Sequence, residues 1–148
     1  MRREDSPFDP FTSFHFVVEA DGITVGGFSE CTGLDSETDV IEYREGNEQG
    51  ITVRKLPGLK KFSNITLKRG VSTNLELYTW RKTVMDGAIE RKNVSIVLND
   101  EQGNERVRWS LQNAWPCKYV APELKASANE IAIETVELCH EGIEVSTT

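Results

Sequence analysis

The chain has 148 residues, a formal net charge of −7 and 38% apolar residues, a composition typical of a single globular domain. Such an acidic chain is a poor candidate for broad nucleic-acid binding, and no apolar run approaches the ~20 residues of a transmembrane helix. The three cysteines cannot all pair, and the first residues lack an apolar export segment, so we expect reduced thiols and synthesis in the cytosol.

Charge is distributed unevenly along this chain. Residues 54–92 contain ten basic and three acidic residues, whereas the remainder is strongly acidic. Opposite charges on one chain can attract copies of that chain to each other. The alternative is that these blocks are ordinary solvated faces, which composition alone favours.

The first predicted strand follows an N-terminal arm, residues 1–11, that we expect to be flexible. Alternation of apolar side chains predicts a strand over 12–20. Asp21-Gly22 is typical of a hairpin turn and predicts a return strand over 23–28. Residues 29–37 are predicted to form a loop.

Two further strands are predicted on either side of a long connection. Alternation indicates strands over 40–45 and 62–69, and the connection over 46–61 contains a predicted turn at Leu56-Pro57-Gly58. A connection of this length in a compact domain is usually functional. We therefore expect a long extended loop or hairpin at this point.

One helix is predicted, over residues 74–86. Thr73 and Glu76 have the spacing of a capping box, and Gly87 suits the left-handed position just after the helix. The apolar face of this helix consists of Leu77, Trp80 and Val84. These side chains lie within a narrow arc, so we expect the helix to pack on a sheet.

The C-terminal half is predicted to be strands. Residues 93–98 and 105–111 read as a hairpin, whereas 113–122 are interrupted by two prolines. A last strand over 129–140 changes phase near Glu134-Thr135, which predicts either a β-bulge there or a strand that passes from one environment to another. Together, the elements predict a mainly β (α+β) domain over 12–148, an antiparallel barrel-like or sandwich-like fold with one packed helix.

Motifs for catalysis or metal binding are not found in the sequence. It contains no phosphate-binding glycine loop, no GxSxG and no HExxH, and the cysteines lack the CxxC spacing of zinc sites. His15 and His140 lie on separate predicted strands. We therefore predict no catalytic residue, no metal site and no cofactor, and keep a monomeric binding module and a small enzyme as remote alternatives.

Five segments in chain order form a specific combination: VIEYREGN (40–47), RKLPGLKK (54–61), NITLKRG (64–70), the helix bearing Leu77 and Trp80, and AIETVELCHEGIE (132–144). This combination resembles the tail tube proteins of contractile phages and the inner-tube subunits of related injection particles. The resemblance extends from about residue 12 to 145. It implies a structural protein whose small β-barrel-like domain forms six-membered rings that stack into a hollow tube.

The resemblance also implies partners and a location. The partners would be copies of the chain, a contractile sheath, baseplate and tail-terminator proteins, and DNA or effector cargo in the lumen, with no membrane insertion by the subunit. Synthesis would occur in the bacterial cytoplasm, before assembly into a virion tail or injection particle. The alternatives are a tube-initiator paralogue at the baseplate and a secreted ring-forming tube or chaperone protein like that of type VI secretion.

The long connection supplies the candidate contacts between subunits. These candidates are Tyr43, Arg44, Arg54, Lys55, Leu56, Pro57, Lys60 and Lys61. The predicted turn would place four positive charges at the end of a protruding arm. Because residues 35–48 and 130–144 carry excess carboxylates, we expect the arm to meet an acidic face of an adjacent subunit, in the next ring.

Overall fold

The computed structural model describes residues 10, 11, 15–21, 23–44, 46, 52–127 and 129–148. Most of the predicted N-terminal arm therefore lies outside the described residues. Within the arm, the Phe11 ring lies 5.6 Å from the Arg106 guanidinium. None of the described helical segments is long and apolar enough to cross a membrane.

Ten strands and one helix make up the described part of the chain. In chain order they are β1 Phe16–Ala20, β2 Ile23–Gly26, β3 Glu30–Thr32, β4 Ser36–Tyr43, β5 Arg54–Phe62, β6 Ile65–Gly70, α1 Glu76–Met85, β7 Lys92–Asn99, β8 Glu105–Val120, β9 Ile133–Cys139 and β10 Ile143–Thr147. The mainly antiparallel β fold with one helix is confirmed.

Eight strands form one sheet that bends around a single core. The order is β2-β1-β7-β8-β9-β6-β3, with β10 also paired to β8. The first half of β8 pairs with β7 and β10, and its second half pairs with β9. Between the two halves, Asn113 adopts a left-handed conformation with φ 50°. Strand β8 therefore belongs to both layers of a sandwich-like domain.

The core lies between these layers and under the helix. Its buried members are Val18, Phe28, Ile65, Leu67, Leu77, Trp80, Val94, Ile96, Leu111, Ala114, Val136 and Leu138. They come from β1, β6, β7, β8, β9, α1 and the β2–β3 connection. Alternation in β6 and β7 turns every second side chain toward this core, as the sequence predicts, and β9 alternates in the same way.

The structure corrects the predicted strand boundaries in the N-terminal half. The predicted loop at 29–37 contains β3 and the start of β4, and the predicted strand at 62–69 is broken after Phe62. Strand β2 ends at Gly26, where φ is +118°, rather than continuing to residue 28. Strand β3 and the start of β4 contain few apolar residues and therefore lack the alternation by which strands are detected in a sequence.

The predictions for the C-terminal half need three corrections. Strand β8 continues through Pro116, where a register shift against β9 accommodates the missing backbone donor. The predicted bulge at Glu134-Thr135 is wrong, because β9 pairs with β6 in unbroken register there. Strand β10 was not predicted separately; it begins at Ile143, after a break that follows β9.

The helix begins without the predicted capping box. The N-cap residue, Leu75, provides no side-chain cap, and the Glu76 backbone N–H instead donates to Asn74 Oδ1 over 3.0 Å. Gly87 has φ 84°, which confirms the predicted left-handed position after the helix. The helix forms because its inner face packs on the core rather than because of a strong cap.

Candidate assembly interface

Strands β4 and β5 form a two-stranded hairpin that is separate from the main sheet. Among the described elements, their extensive contacts are with each other, and nearly all their residues are exposed. The predicted turn at Leu56-Pro57-Gly58 is wrong, because these residues lie within β5, with Pro57 opposite Val40. Of the two predicted forms of this segment, an extended loop or a hairpin, the structure shows a hairpin.

The base of the hairpin is fixed to the body of the domain by two close contacts. Gly33 has φ 96°, and a Cβ there would lie 2.1 Å from the Asn64 carbonyl oxygen, so only glycine fits. The Phe62 and His140 rings lie 5.7 Å apart, and His140 Nε2 is 2.9 Å from the Ser63 carbonyl oxygen. These contacts set the direction in which the hairpin leaves the domain.

Basic and acidic side chains of the hairpin face each other. Lys61 Nζ lies 3.0 Å from Asp39 Oδ1, and Glu42 is opposite Lys55 across the strands. The hydrogen bond and charge of Asp39 raise the pKa of Lys61. The expected concentration of uncompensated positive charge on the arm is therefore wrong at Lys61, because the acidic strand β4 accompanies the basic strand β5.

The interface candidates lie along the whole length of the hairpin. Tyr43 and Arg54 form its last paired position, and Arg44 follows directly. Leu56 and Pro57 lie in the middle of β5, whereas Lys60 and Lys61 lie nearer its base.

Large apolar side chains remain exposed on this hairpin. Val40 and Ile41 retain 63% and 51% of their accessible surface, and Leu56 and Leu59 retain 45% and 75%. Among monomeric proteins, contiguous exposed apolar residues often mark interaction sites.

The helix lies on the core as its apolar face predicts. Leu77 and Trp80 are buried and Val84 is half-buried. The Trp80 indole N–H donates to the Glu90 carbonyl oxygen over 2.7 Å, and Lys92 Nζ lies 5.3 Å from the ring centroid. A groove of about 550 Å³ runs between this helix and strands β1, β2 and β7.

A buried ion pair that the sequence analysis missed joins β6 to β9. Arg69 Nε donates to Glu134 Oε1 over 2.5 Å, and the Tyr119 hydroxyl donates to Glu134 Oε2 over 2.5 Å. Arg69 also donates to the backbone carbonyl oxygens of Val25 and Asn74. The change of phase near Glu134 was the available signal, because this carboxylate occupies a core-facing position of β9.

The described residues contain no cluster of three or more His, Cys, Asp or Glu side chains that could hold a metal ion. Burial raises the pKa of Cys31 to about 11 and that of Cys117 to about 12. Both thiols are therefore protonated at neutral pH and are weak nucleophiles. Within the described residues, the candidate functional surface is therefore the exposed β4–β5 hairpin.

The sequence profile of the T4-like virus tail tube protein gp19 matches residues 12–144, nearly the whole chain. The chain belongs to this tail tube protein family. The family resemblance predicted from the sequence is thereby confirmed. No curated protein sequence matches the chain.

Solved structures similar to this tail tube family member include parts of contractile particles. A chain in the structure of the anti-feeding prophage cap, the tube-terminating cap, is 31% identical with a TM-score of 0.85, covering 94% of this chain and 92% of that one. A chain in the sheath–tube complex of the extracellular contractile injection system PVC is 28% identical, with a TM-score of 0.85 and coverages of 94% and 93%. The anti-feeding prophage baseplate contains a chain 25% identical, with a TM-score of 0.83 and coverages of 93% and 96%.

Proposed function

We propose that the protein is the repeating subunit of the inner tube of a contractile tail or injection particle. Its rings, each of six subunits, stack around a lumen through which DNA or protein cargo passes. Family membership over residues 12–144 and the similarity to a sheath–tube complex support this proposal.

The observation that carries the proposal is that the described part of the chain gives the β4–β5 hairpin little support away from its base. An isolated two-stranded hairpin is at best marginally stable in water, because it has no third strand or helix to cover it. This hairpin also exposes large apolar residues on a fixed base. A neighbouring subunit would bury that surface and stabilise the hairpin.

The strand edges of the domain provide a second reason for assembly. Among the described strands, β2 and β3 are at the ends of the main sheet, and β10 has a partner on one side only. Exposed edges favour pairing with other chains, and closing a ring of subunits would cover them. The tube would therefore be held by strand pairing and apolar contacts.

The proposed partners follow from the assemblies in which similar proteins are found. A sheath would surround the tube, while a baseplate and a terminator would contact its two ends. The subunit would be synthesised in the bacterial cytoplasm and then incorporated into the particle.

Negative-stain electron microscopy of the purified full chain, combined with sedimentation velocity, tests this proposal. We expect rings or hollow tubes whose amount increases with protein concentration. A folded protein that stays monomeric at the highest soluble concentration would contradict the proposal.

A subunit at one end of the tube is the second candidate, because similar chains occur in a tube-terminating cap and a baseplate. An end subunit would form single rings that do not stack, whereas the repeating subunit would form tubes of unlimited length. The length distribution in the same micrographs separates the two functions.

A further inference from the structure

Two of the three cysteines lie close together on the outer face of the sheet. Cys117 is in β8, and Cys139 ends the neighbouring strand β9. Pro116 and Leu138, which precede them in the chain, pair across the two strands and are buried. Because neighbours along a strand point to opposite faces, both cysteines point away from the core, and both are half-buried.

An irregularity in the strand pairing brings the two cysteines nearer to each other than regular pairing would. Cys139 is opposite Trp115, which makes Cys117 its diagonal neighbour, and such neighbours lie about 7–8 Å apart. The register shifts between Pro116 and Lys118, where three residues of β8 span the length of two residues of β9. The shift shortens the diagonal toward the range below about 7 Å that a disulfide needs between its Cα atoms.

Direct contacts hold the Cys117 side chain over β9. Its thiol donates to the Glu137 backbone carbonyl oxygen over 3.4 Å. Burial, together with a hydrogen bond to the Cys139 thiol, raises the pKa of Cys117 to about 12. The Asn64 side-chain amide donates to Glu137 Oε1 over 2.9 Å and lies 3.7 Å from Cys117 Sγ. These contacts keep the Cys117 thiol within reach of the Cys139 thiol.

The third cysteine lies on the other face of the sheet. Cys31 in β3 is opposite Leu67, whose side chain is buried, and Cys31 itself packs against the core. Residues directly opposite each other in an antiparallel pair share a face. Strand β6 also stands between β3 and β9, so Cys31 is separated from Cys139 by both position and face.

We propose that Cys117 and Cys139 form an intramolecular disulfide, linking β8 to β9, when the protein meets an oxidising environment. The oxidant is a soluble disulfide of the glutathione class. One cysteine thiolate attacks it, which gives a mixed disulfide and releases one soluble thiol. The second cysteine thiolate attacks the mixed disulfide, which forms the Sγ–Sγ bond and releases the second soluble thiol. The cysteines lose two electrons and two protons, and the two soluble thiols carry them away.

The bond closes a loop that contains the whole β8–β9 connection. Residues 121–132 lie between the two strands, and among them Leu124 and Ile131 retain 82% and 80% of their accessible surface. Closing this loop restricts the unfolded chain and so stabilises the folded subunit. Cytosolic thiols stay reduced, whereas disulfides persist outside the cell. The bond therefore strengthens the subunit after a particle has left the cytosol, a timing that alone rests on the proposed function.

Oxidation of the purified full chain in dilute solution tests the proposal. The reduced protein is incubated with oxidised glutathione at pH 9, because the raised pKa of Cys117 makes its thiolate scarce at neutral pH. It is then unfolded in excess alkylating reagent. We expect an intact mass that has lost two hydrogens and gained one alkyl label, on Cys31, and a linked peptide containing Cys117 and Cys139 after digestion without reductant. The urea midpoint should rise by about 1 M or more, and a reductant should reverse the rise.

Serine variants of the three cysteines provide matched controls. Cys117→Ser and Cys139→Ser should each prevent the bond and the rise in urea midpoint. Cys31→Ser should form the bond as the native chain does. Circular dichroism of the reduced proteins checks that each variant folds.

Other products would overturn the proposal. These are a bond that includes Cys31, a disulfide between two chains, and glutathione that remains attached to Cys117 or Cys139. An oxidised protein with a lower urea midpoint than the reduced protein would also overturn it. Formation of the expected bond in a chain that makes no rings or tubes contradicts only the proposed function. Tubes whose dispersed subunits fail to form the bond contradict only this inference.

Discussion

Replacement of Glu134 tests the role of the buried ion pair most directly. The Arg69 and Glu134 side chains are only 7% and 5% exposed, so solvent does not screen their interaction appreciably. In Glu134→Leu, the Arg69 guanidinium loses its buried counter-charge and keeps its bonds to two backbone carbonyls and its contact with the Phe28 ring. Loss of one partner of such a pair costs about 3–5 kcal/mol of unfolding free energy.

A double variant separates the contribution of the ion pair to the unfolding free energy from that of its neighbour Tyr119. Arg69→Met with Glu134→Leu replaces both charges with apolar groups of similar volume, a change that is often neutral or stabilising. Here the Tyr119 hydroxyl would lose its acceptor, which costs about 1–3 kcal/mol. The double variant should therefore be less stable than native by about that amount, and adding Tyr119→Phe should recover most of the loss.

Urea unfolding of dilute protein, followed by tryptophan fluorescence, measures these free energies. Glu123→Gln is the control, because the Lys125–Glu123 pair is exposed and should contribute about 0–1 kcal/mol. The reasoning is refuted if Glu134→Leu lowers the unfolding free energy by less than about 1 kcal/mol. It is also refuted if the loss in the double variant equals the sum of the losses in Arg69→Met alone and Glu134→Leu alone.

Three further predictions concern the helix, a tyrosine and the base of the hairpin. Trp80→Ala should lower the unfolding free energy by about 3–5 kcal/mol, and an unchanged urea midpoint would mean that the helix does not depend on this side chain. Burial and the hydrogen bond to Glu134 raise the pKa of Tyr119 to about 12. The resulting contribution to stability is present below about pH 10 and is lost as the pH rises to about 12, which ultraviolet titration and urea unfolding should show. Lys60→Glu with Lys61→Glu should slow stacking while the domain still folds, because the second change places a carboxylate beside Asp39; assembly at the native rate would contradict this.

The main sheet and the helix are predictable from sequence because burial imposes a period. Val94 and Ile96 in β7 and Leu77 and Trp80 in the helix point into the core at the spacing of their own secondary structure. The same rule explains the misplaced bulge. In β9, Ile133 lies on the outer face while Glu134 faces the core. The positions of the apolar residues alone therefore suggest a change of face that the strand does not make.

A long loop or hairpin could be predicted here, but the position of its turn and the bounds of its strands could not. Pro57 and Gly58 are typical turn residues, yet here they occur within a strand beside a register shift. A Cβ at Gly58 would lie only 3.1 Å from the Asp39 carbonyl oxygen, a tight contact between residues that are 19 positions apart in the chain. The turn rule reads only neighbours in sequence and therefore cannot detect this contact.

Charge patterning is informative here only once the pairing of strands is known. In sequence, an acidic stretch before residue 45 and a basic stretch after residue 53 look like opposed surfaces available to other subunits. In the structure, these stretches are β4 and β5, and antiparallel pairing places Glu42 opposite Lys55 and Asp39 beside Lys61. Exposed pairs of this kind contribute about 0–1 kcal/mol each and mainly fix the register of the hairpin. Part of the charge is satisfied within one subunit, so the contact between subunits should depend chiefly on the exposed apolar side chains of the hairpin, among them Val40, Ile41 and Leu59. Added salt should therefore weaken assembly far less than the loss of these apolar side chains.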